Sequence, residues 1–253
     1  MIPKVIHYCW FGHNPLPPLT KRCIDSWRRY LPDYEIKEWN EDNFDISMVP
    51  YTREAYAAKR YAFVSDYARF WILYHHGGVY FDTDVEVIKP MDEFIQRGAF
   101  MGCEREYVDP RGSNGSHHPS LDVNPGLGLG AEPGMEVYKR LLDVYGAMHF
   151  LNEDNTPNLK TVVTYTTEVL SDFGLHYVEG IQSCGGITIY PKEYLCPKNY
   201  QTFETKITPN TYTIHHYDGS WLSPYDKFKK SIRRIFGKPL IAFVYFVRGI
   251  GKR

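Results

Sequence analysis

The sequence predicts a single α/β domain, with a mixed, mostly parallel central sheet flanked by helices. Three observations predict it. The 253 residues suffice for one large core but are few for two. Short apolar β-type runs alternate with stretches of helical period in the first third of the chain. The opening reads strand, helix, strand, the order with which parallel α/β sheets begin.

Residues 5–11 form an aromatic and β-branched run ending at Gly12, read as a first buried strand, with Asn14, Pro15, Pro17 and Pro18 in the loop after it. Thr20 is the expected N-cap of a helix in which Cys23, Ile24, Trp27, Tyr30 and Leu31 recur at helical spacing before Pro32 and Asp33 stop it. Residues 34–39, with Ile36 and Glu38 in alternating pattern, read as a second strand. Residues 55–75 are the longest helical stretch. There Ala62, Phe63, Tyr67, Phe70, Trp71 and Tyr74 face a core, and Gly77-Gly78 supplies the end. Val79, Tyr80 and Phe81 then start a strand that runs into Asp82-Thr83-Asp84 and continues through Val85, Val87 and Ile88 to Pro90. Two carboxylates thus sit in the middle or at the exit of an apolar β segment, which costs free energy unless something pairs with them. Residues 104–118, rich in Gly, Ser, Asn and His, read as a mobile loop suited to covering a substrate. Gly126, Gly128 and Gly130 precede a helix expected over 133–150, whose face includes Val137, Leu141, Leu142 and Tyr145.

Hydrophobic residues make up 43% and aromatics 16%, which excludes a disordered chain. The net charge of -1 hides an asymmetry: nine of the 29 Lys and Arg lie in residues 226–253, against Asp226 alone. The remaining acidic body excludes nucleic acid as a partner. Cys9, Cys23, Cys103, Cys184 and Cys196 are odd in number and widely spaced, a pattern of neither a disulfide framework nor a zinc site, so a reducing cytosol is expected. The first residues lack the basic start and long apolar stretch of a signal peptide, and no run reaches transmembrane length.

Asp82 and Asp84, two residues apart, share one face of a regular strand, or at a strand end can grip one hard cation together with phosphate oxygens. A divalent metal bridging a diphosphate stabilises the charge that develops as a nucleoside diphosphate leaves a sugar. D-x-D alone is unspecific, because a solvent-facing surface pair spells the same letters. Its context is more telling: Ser65-Asp66-Tyr67-Ala68-Arg69 lies one helix earlier, and Gly77-Gly78-Val79-Tyr80-Phe81 leads directly into the pair. This block resembles glycosyltransferases of family 32 type, which include the yeast initiating α-mannosyltransferase and bacterial capsular sugar transferases and are distantly related to the large clostridial glucosylating toxins. Ile6-His7-Tyr8-Cys9-Trp10-Phe11-Gly12 resembles that family's first strand. His215-His216-Tyr217-Asp218-Gly219-Ser220-Trp221 resembles its C-terminal histidine and Ser-Trp motif, so the resemblance spans residues 1–225, loosely over 100–200.

The resemblance implies a GT-A type, Rossmann-like catalytic domain over 1–225. It implies metal-dependent transfer of a hexose or N-acetylhexosamine from a nucleotide sugar to a saccharide or lipid-linked oligosaccharide acceptor in surface polysaccharide (capsule) biosynthesis. UDP is the nucleotide expected first, and GDP-mannose stays open. Asp82, Asp84 and Arg69 are the implied catalytic residues. Trp10 would stack on the base and the backbone of Ile6, His7 and Tyr8 would meet its edge. Asp66 and Arg69 would contact ribose, donor sugar or phosphate, with Tyr80, Thr83 and Asn124 as further donor contacts and Ser220 and Trp221 over the diphosphate. Mn2+, or Mg2+, would be held by Asp82, Asp84 and His216. His215 is the rival, because neighbours in an extended segment point to opposite faces. The family retains anomeric configuration, and no residue here is marked as a covalent nucleophile, which points to a front-face mechanism. A metal-dependent nucleotide-sugar hydrolase and a non-catalytic carbohydrate-binding protein are the alternatives.

Residues 226–253 form a basic amphipathic tail. Lys229, Lys230, Arg233 and Arg234 stand beside an apolar run over 239–247, suited to lying in an anionic membrane interface through residues 227–253. A helix packed on the domain is the other reading. The first would make the protein peripheral on the cytoplasmic face of the cell membrane.

Overall fold

A computed structural model describes residues 1–105, 121–199 and 204–219. The first strand, β1 (Val5–Cys9), is followed by α1 (Pro18–Tyr30) and β2 (Glu35–Trp39). This is the expected strand-helix-strand opening, with one change at the helix start. Pro18, not Thr20, opens α1, since a proline lacks the N–H that a first helical position leaves unsatisfied and has its φ already set. Thr20 is buried within the first turn.

The long helix expected over 55–75 is two helices, α2 (Pro50–Ala57) and α3 (Tyr61–His76). Lys59 adopts a φ of 56° between them, and the Arg60 amide bonds back to the Ala55 carbonyl at 2.8 Å. Periodicity survives such a break, so the sequence pattern read straight through it. The α3 end is as predicted: Gly77 and Gly78 have φ of 63° and 98°. A side chain at Gly78 would stand 2.7 Å from the Val5 carbonyl oxygen, so the second glycine is required by close approach as well as by φ.

The single apolar strand expected over 79–90 also divides. β3 (Gly78–Tyr80) lies in the main sheet, whereas β4 (Val85–Val87) leaves it and pairs antiparallel with β10 (Thr213–His215). Asp82-Thr83-Asp84 is the turn between them, closed by the Val85 amide on the Asp82 carbonyl at 3.0 Å. The chain continues through α4 (Asp92–Ile95), β5 (Phe100–Cys103), β6 (Val123–Asn124), β7 (Leu129–Ala131) and α5 (Glu136–Gly146). The helix expected over 133–150 is thus trimmed at both ends. Then come α6 (Val162–Asp172), β8 (Gln182–Cys184), β9 (Ile187–Tyr190) and α7 (Lys192–Leu195).

The large sheet runs β2-β1-β3-β7-β5-β9-β8, with β6 added beside β5. It is mixed, as expected: β1 pairs parallel with β2 and β3, and β5 with β9, while β7, β6 and β8 pair antiparallel. Alternation along β1 splits the core into two layers. Ile6 and Tyr8 belong to the layer under α1, where Tyr8 meets Trp27 at 5.7 Å between ring centroids. Cys9 belongs to the layer under α3, α5 and α6. Helices therefore cover both faces of the sheet, the α/β arrangement predicted, and the Asp82 turn emerges at the carboxyl end of β3 beside the β1 exit.

Candidate active site

On α3, Asp66 and Arg69 are three residues apart and share a face. Arg69 Nη1 lies 2.9 Å from Asp66 Oδ1, and Nη2 donates to Asp82 Oδ1 at 2.9 Å. The Arg69 side chain is only 4% exposed, so this is an interior clamp and not a solvated surface pair. Its guanidinium also stands 5.3 Å from the centroid of the buried Tyr80 ring. Arg69 was expected on the donor's sugar or phosphate. It instead holds two carboxylates of its own chain, because a charge this deeply placed needs fixed counter-charges.

Asp84 is held from the other side. The β4–β10 ladder sets His215 opposite Val85, which brings His215 Nε2 to 3.2 Å from Asp84 Oδ1. Asp84 Oδ2 accepts from the Asp218 amide at 2.7 Å, and the Asp84 carbonyl accepts from the His216 amide at 2.9 Å. His216 itself turns away: its Nε2 lies 2.7 Å from Glu86. His215 thus shares the carboxylates' side, whereas His216, the expected metal ligand, pairs with Glu86. Nδ1 of His215, in a side chain 11% exposed, has no hydrogen-bond partner among the described residues.

Charge is concentrated here. Burial pushes the Asp66 carboxyl up to about 6, against the pull of Arg69. Burial also raises Asp82, with the Asp84 charge adding to it and Arg69 opposing. Asp84 goes the other way despite burial, because His215 and the Asp218 amide stabilise its anion well below the usual carboxylate range. His215 is correspondingly raised: burial disfavours the charged ring, but Asp84 outweighs it.

A third wall comes from the β6–β7 turn. The Asn124 side chain accepts from the Gly126 amide at 2.7 Å and donates to Glu104 at 2.9 Å. Gly126 packs so closely on the carboxylate that a Cβ there would sit 2.3 Å from Asp82 Oδ2. Asn124, expected as a donor contact, is here engaged by Gly126 and Glu104 beside the carboxylate turn. Glu104 and Gly126 were not foreseen, since their roles depend on the β5–β6 pairing.

Other expected residues fall as follows. Trp10 is half-buried just past β1, with its indole N–H donating to the Asn14 carbonyl at 2.6 Å. Ile6 and His7 lie inside the ladder between β2 and β3, and the His7 carbonyl accepts from the Phe81 amide. Tyr8 pairs with Glu38 in the ladder, its hydroxyl donating to the Glu38 carboxylate at 2.5 Å. Thr83 is half-buried in the D-x-D turn. Ser220, Trp221, the greater part of the 104–118 loop and the tail over 226–253 lie outside the described residues.

The turn and its clamp on α3 fall within one recognisable stretch. Residues 17–101 match the glycosyltransferase sugar-binding region containing DXD motif. This DXD region contains Asp66, Arg69, Tyr80, Asp82 and Asp84, whereas Trp10, Asn124 and His215 come from outside it. Inositol phosphoceramide mannosyltransferase 1 of Schizosaccharomyces pombe is 32% identical over 111 residues, covering 40% of this chain and 33% of the relative. An uncharacterized glycosyltransferase of Acanthamoeba polyphaga mimivirus is 31% identical over 106 residues, covering 40% and 42%. The chain thus spans well under half the length of these relatives. Among solved structures, the PaToxG glycosyltransferase has a TM-score of 0.49 at 18% identity, covering 68% of this chain and 69% of its own.

Among the described residues no three His, Cys, Asp or Glu side chains converge as a ready-made metal site. Two carboxylates on one turn, one of them raised by burial and further by the other's charge, nevertheless fit a hard divalent cation. Cations held by one or two carboxylates usually complete their shell with substrate phosphates and water.

Proposed function

We propose that this protein is a metal-dependent glycosyltransferase that moves a hexose or N-acetylhexosamine from a nucleotide sugar to a saccharide acceptor. The observation that carries the reading is the buried line Asp66–Arg69–Asp82, continued at the same turn by Asp84–His215. Ordinary surface aspartates have no reason to be anchored this way. Here the anchoring fixes both carboxylates at the mouth of the parallel β1–β3 pair, where open α/β sheets take ligands.

Asp82 and Asp84 would hold the cation, with His215 in place of His216 as the neighbouring nitrogen. The cation, Mn2+ first because a histidine suits it, would offset charge on the departing diphosphate. Arg69 keeps Asp82 ionised and immobile. Among the described residues, Asp66 and one oxygen of Asp82 pair with Arg69 and Asp84 pairs with His215, which argues against any of the three acting as a covalent nucleophile. A retaining, front-face reaction follows, in which the acceptor hydroxyl attacks from the leaving-group side and passes its proton to the departing phosphate. Trp10, beside the β1 exit, favours UDP as the nucleotide. The mannosyltransferase relative makes GDP-mannose the rival. The sequence of residues 227–253 supports attachment to an anionic cytoplasmic leaflet, consistent with a lipid-linked acceptor in surface polysaccharide synthesis. No described helix is long and apolar enough to cross a membrane.

Calorimetric titration of UDP and GDP, each with and without Mn2+, into wild type and a variant with Asp82→Ala and Asp84→Ala tests the reading. Metal-dependent binding of one nucleotide, lost in the variant, is expected. Binding of neither, or binding indifferent to metal and carboxylates, would overturn it.

A further inference from the structure

A second concave surface lies beside β6. It is an open groove of about 490 Å³ between α6 and the loop after it. On α6, Thr164, Glu168 and Asp172 follow at intervals of four and form one exposed polar stripe. Such a stripe alone is an ordinary solvated helix face. Here it is walled in. Leu121 and Asp122 form one side, and the ring of Tyr177, 40% exposed, stands on the other.

The walls are fixed. Thr167 accepts from the Val123 amide at 3.0 Å and donates to the Val163 carbonyl at 2.8 Å, which locks α6 to β6. Gln182 accepts from the His176 amide and donates to the His176 carbonyl, both at 2.8 Å, so the backbone beside Tyr177 is pinned. The floor also reaches the candidate active site directly. Asp122 and Asn124 flank Val123 on the same short strand, and Glu104 ties them, its amide donating to the Asp122 carbonyl and its carboxylate accepting from Asn124.

The chemistry of the lining selects its ligand. Hydroxyls and carboxylate oxygens accept the many O–H groups of a sugar, and an exposed tyrosine ring offers a flat face to its C–H side. Among the described residues, two cations pair with carboxylates of the lining, Lys160 with Glu168 at 2.6 Å and Arg105 with Asp122 at 3.0 Å. An anionic ligand would meet the carboxylates of Asp122, Glu168 and Asp172.

We propose that this groove binds the acceptor as an uncharged saccharide and presents it along β6 to the donor site. The inference rests on the sugar-transfer reading above. It also assigns the groove to the sugar part of any lipid-linked acceptor, never to its phosphate.

Saturation-transfer NMR on the full chain, without nucleotide or metal, tests it with mannobiose, lactose and chitobiose as neutral probes and a glucuronate-containing disaccharide as the anionic one. At least one neutral disaccharide should bind and the anionic one should not. Tyr177→Ala and Asp172→Ala, both at exposed positions, should each weaken that binding about tenfold. Nucleotide titration of the same variants should match wild type and reports that the fold is intact. No neutral probe binding, equal binding of the anionic probe, or affinity unchanged in both variants would overturn the groove assignment. None of these outcomes touches the nucleotide titrations, so the two readings fail separately.

Discussion

Arg69 on α3 donates to Asp82 at the β3 exit across 2.9 Å, joining a helix face to a turn thirteen residues further along the chain. This bond is the hinge of the site, because it spends one Asp82 oxygen on the scaffold and leaves the other facing Gly126. Arg69→Met would leave Asp66 and Asp82 buried with no cation between them. Loss of a buried pair's partner costs about 3–5 kcal/mol. A correspondingly lowered chemical-denaturation midpoint, together with lost nucleotide binding, is the expected result. Arg69→Lys should recover part of the stability but not the activity, since an ammonium cannot span two carboxylates as a fork does.

Gly126→Ala tests how closely that free oxygen is confined. The added Cβ would lie 2.3 Å from Asp82 Oδ2 and 3.0 Å from Asn124 Oδ1, so the carboxylate must move. Because a side chain yields and not a backbone, the melting temperature should change little. Sugar transfer should fall by about tenfold or more, as displaced catalytic groups do. Unchanged turnover would mean the Asp82 oxygen next to Gly126 takes no part.

The two adjacent histidines should separate sharply. His215→Ala removes the ring against Asp84, and outer partners of ligating carboxylates typically affect metal affinity by about tenfold or more. His216→Ala breaks only a half-exposed pair with Glu86 and should stay within about twofold. Mn2+ titration of nucleotide binding in each variant reads the difference; equal effects would restore His216 as a ligand.

His7 gives a pH dependence of known sign. Its Nδ1 accepts from the Trp39 indole at 3.1 Å and its Nε2 faces the Gly77 carbonyl at 3.0 Å, so the neutral ring is the one that fits. Burial lowers its pKa from 6.5 to about 4. Between those values the unfolded chain holds more protons than the folded one, so stability is complete above 6.5 and declines as the pH falls toward 4. The loss approaches about 3 kcal/mol. His7→Gln, which does not titrate, should flatten that part of a stability-against-pH curve measured by urea denaturation.

Much of the site was legible because its signals are local. Asp66 and Arg69 are one helical turn apart and Asp82 and Asp84 two residues apart, so spacing put each pair together, and the family resemblance of the surrounding block marked them as a site. The glycine pair ending α3 was equally plain, since few residues tolerate its backbone. The breaks were less visible. Nothing in hydrophobic period distinguishes one helix over 55–75 from α2 and α3 with a left-handed Lys59 between them, or one strand from β3 and β4 with a turn between them. A period reports which residues face a core, not whether the chain stays straight.

The sequence by itself determined the α/β class and the burial of β1, which follow from side-chain type and near-neighbour spacing, and its family resemblance singled out the carboxylate pair. Tertiary structure alone decided which partner each carboxylate has. Asp82 goes to Arg69 because α3 packs over β3, and Asp84 goes to His215 because β10 returns antiparallel to β4 in a register that turns His216 away. Choosing between adjacent residues of a strand requires that register, and register is set by pairing between segments far apart in sequence.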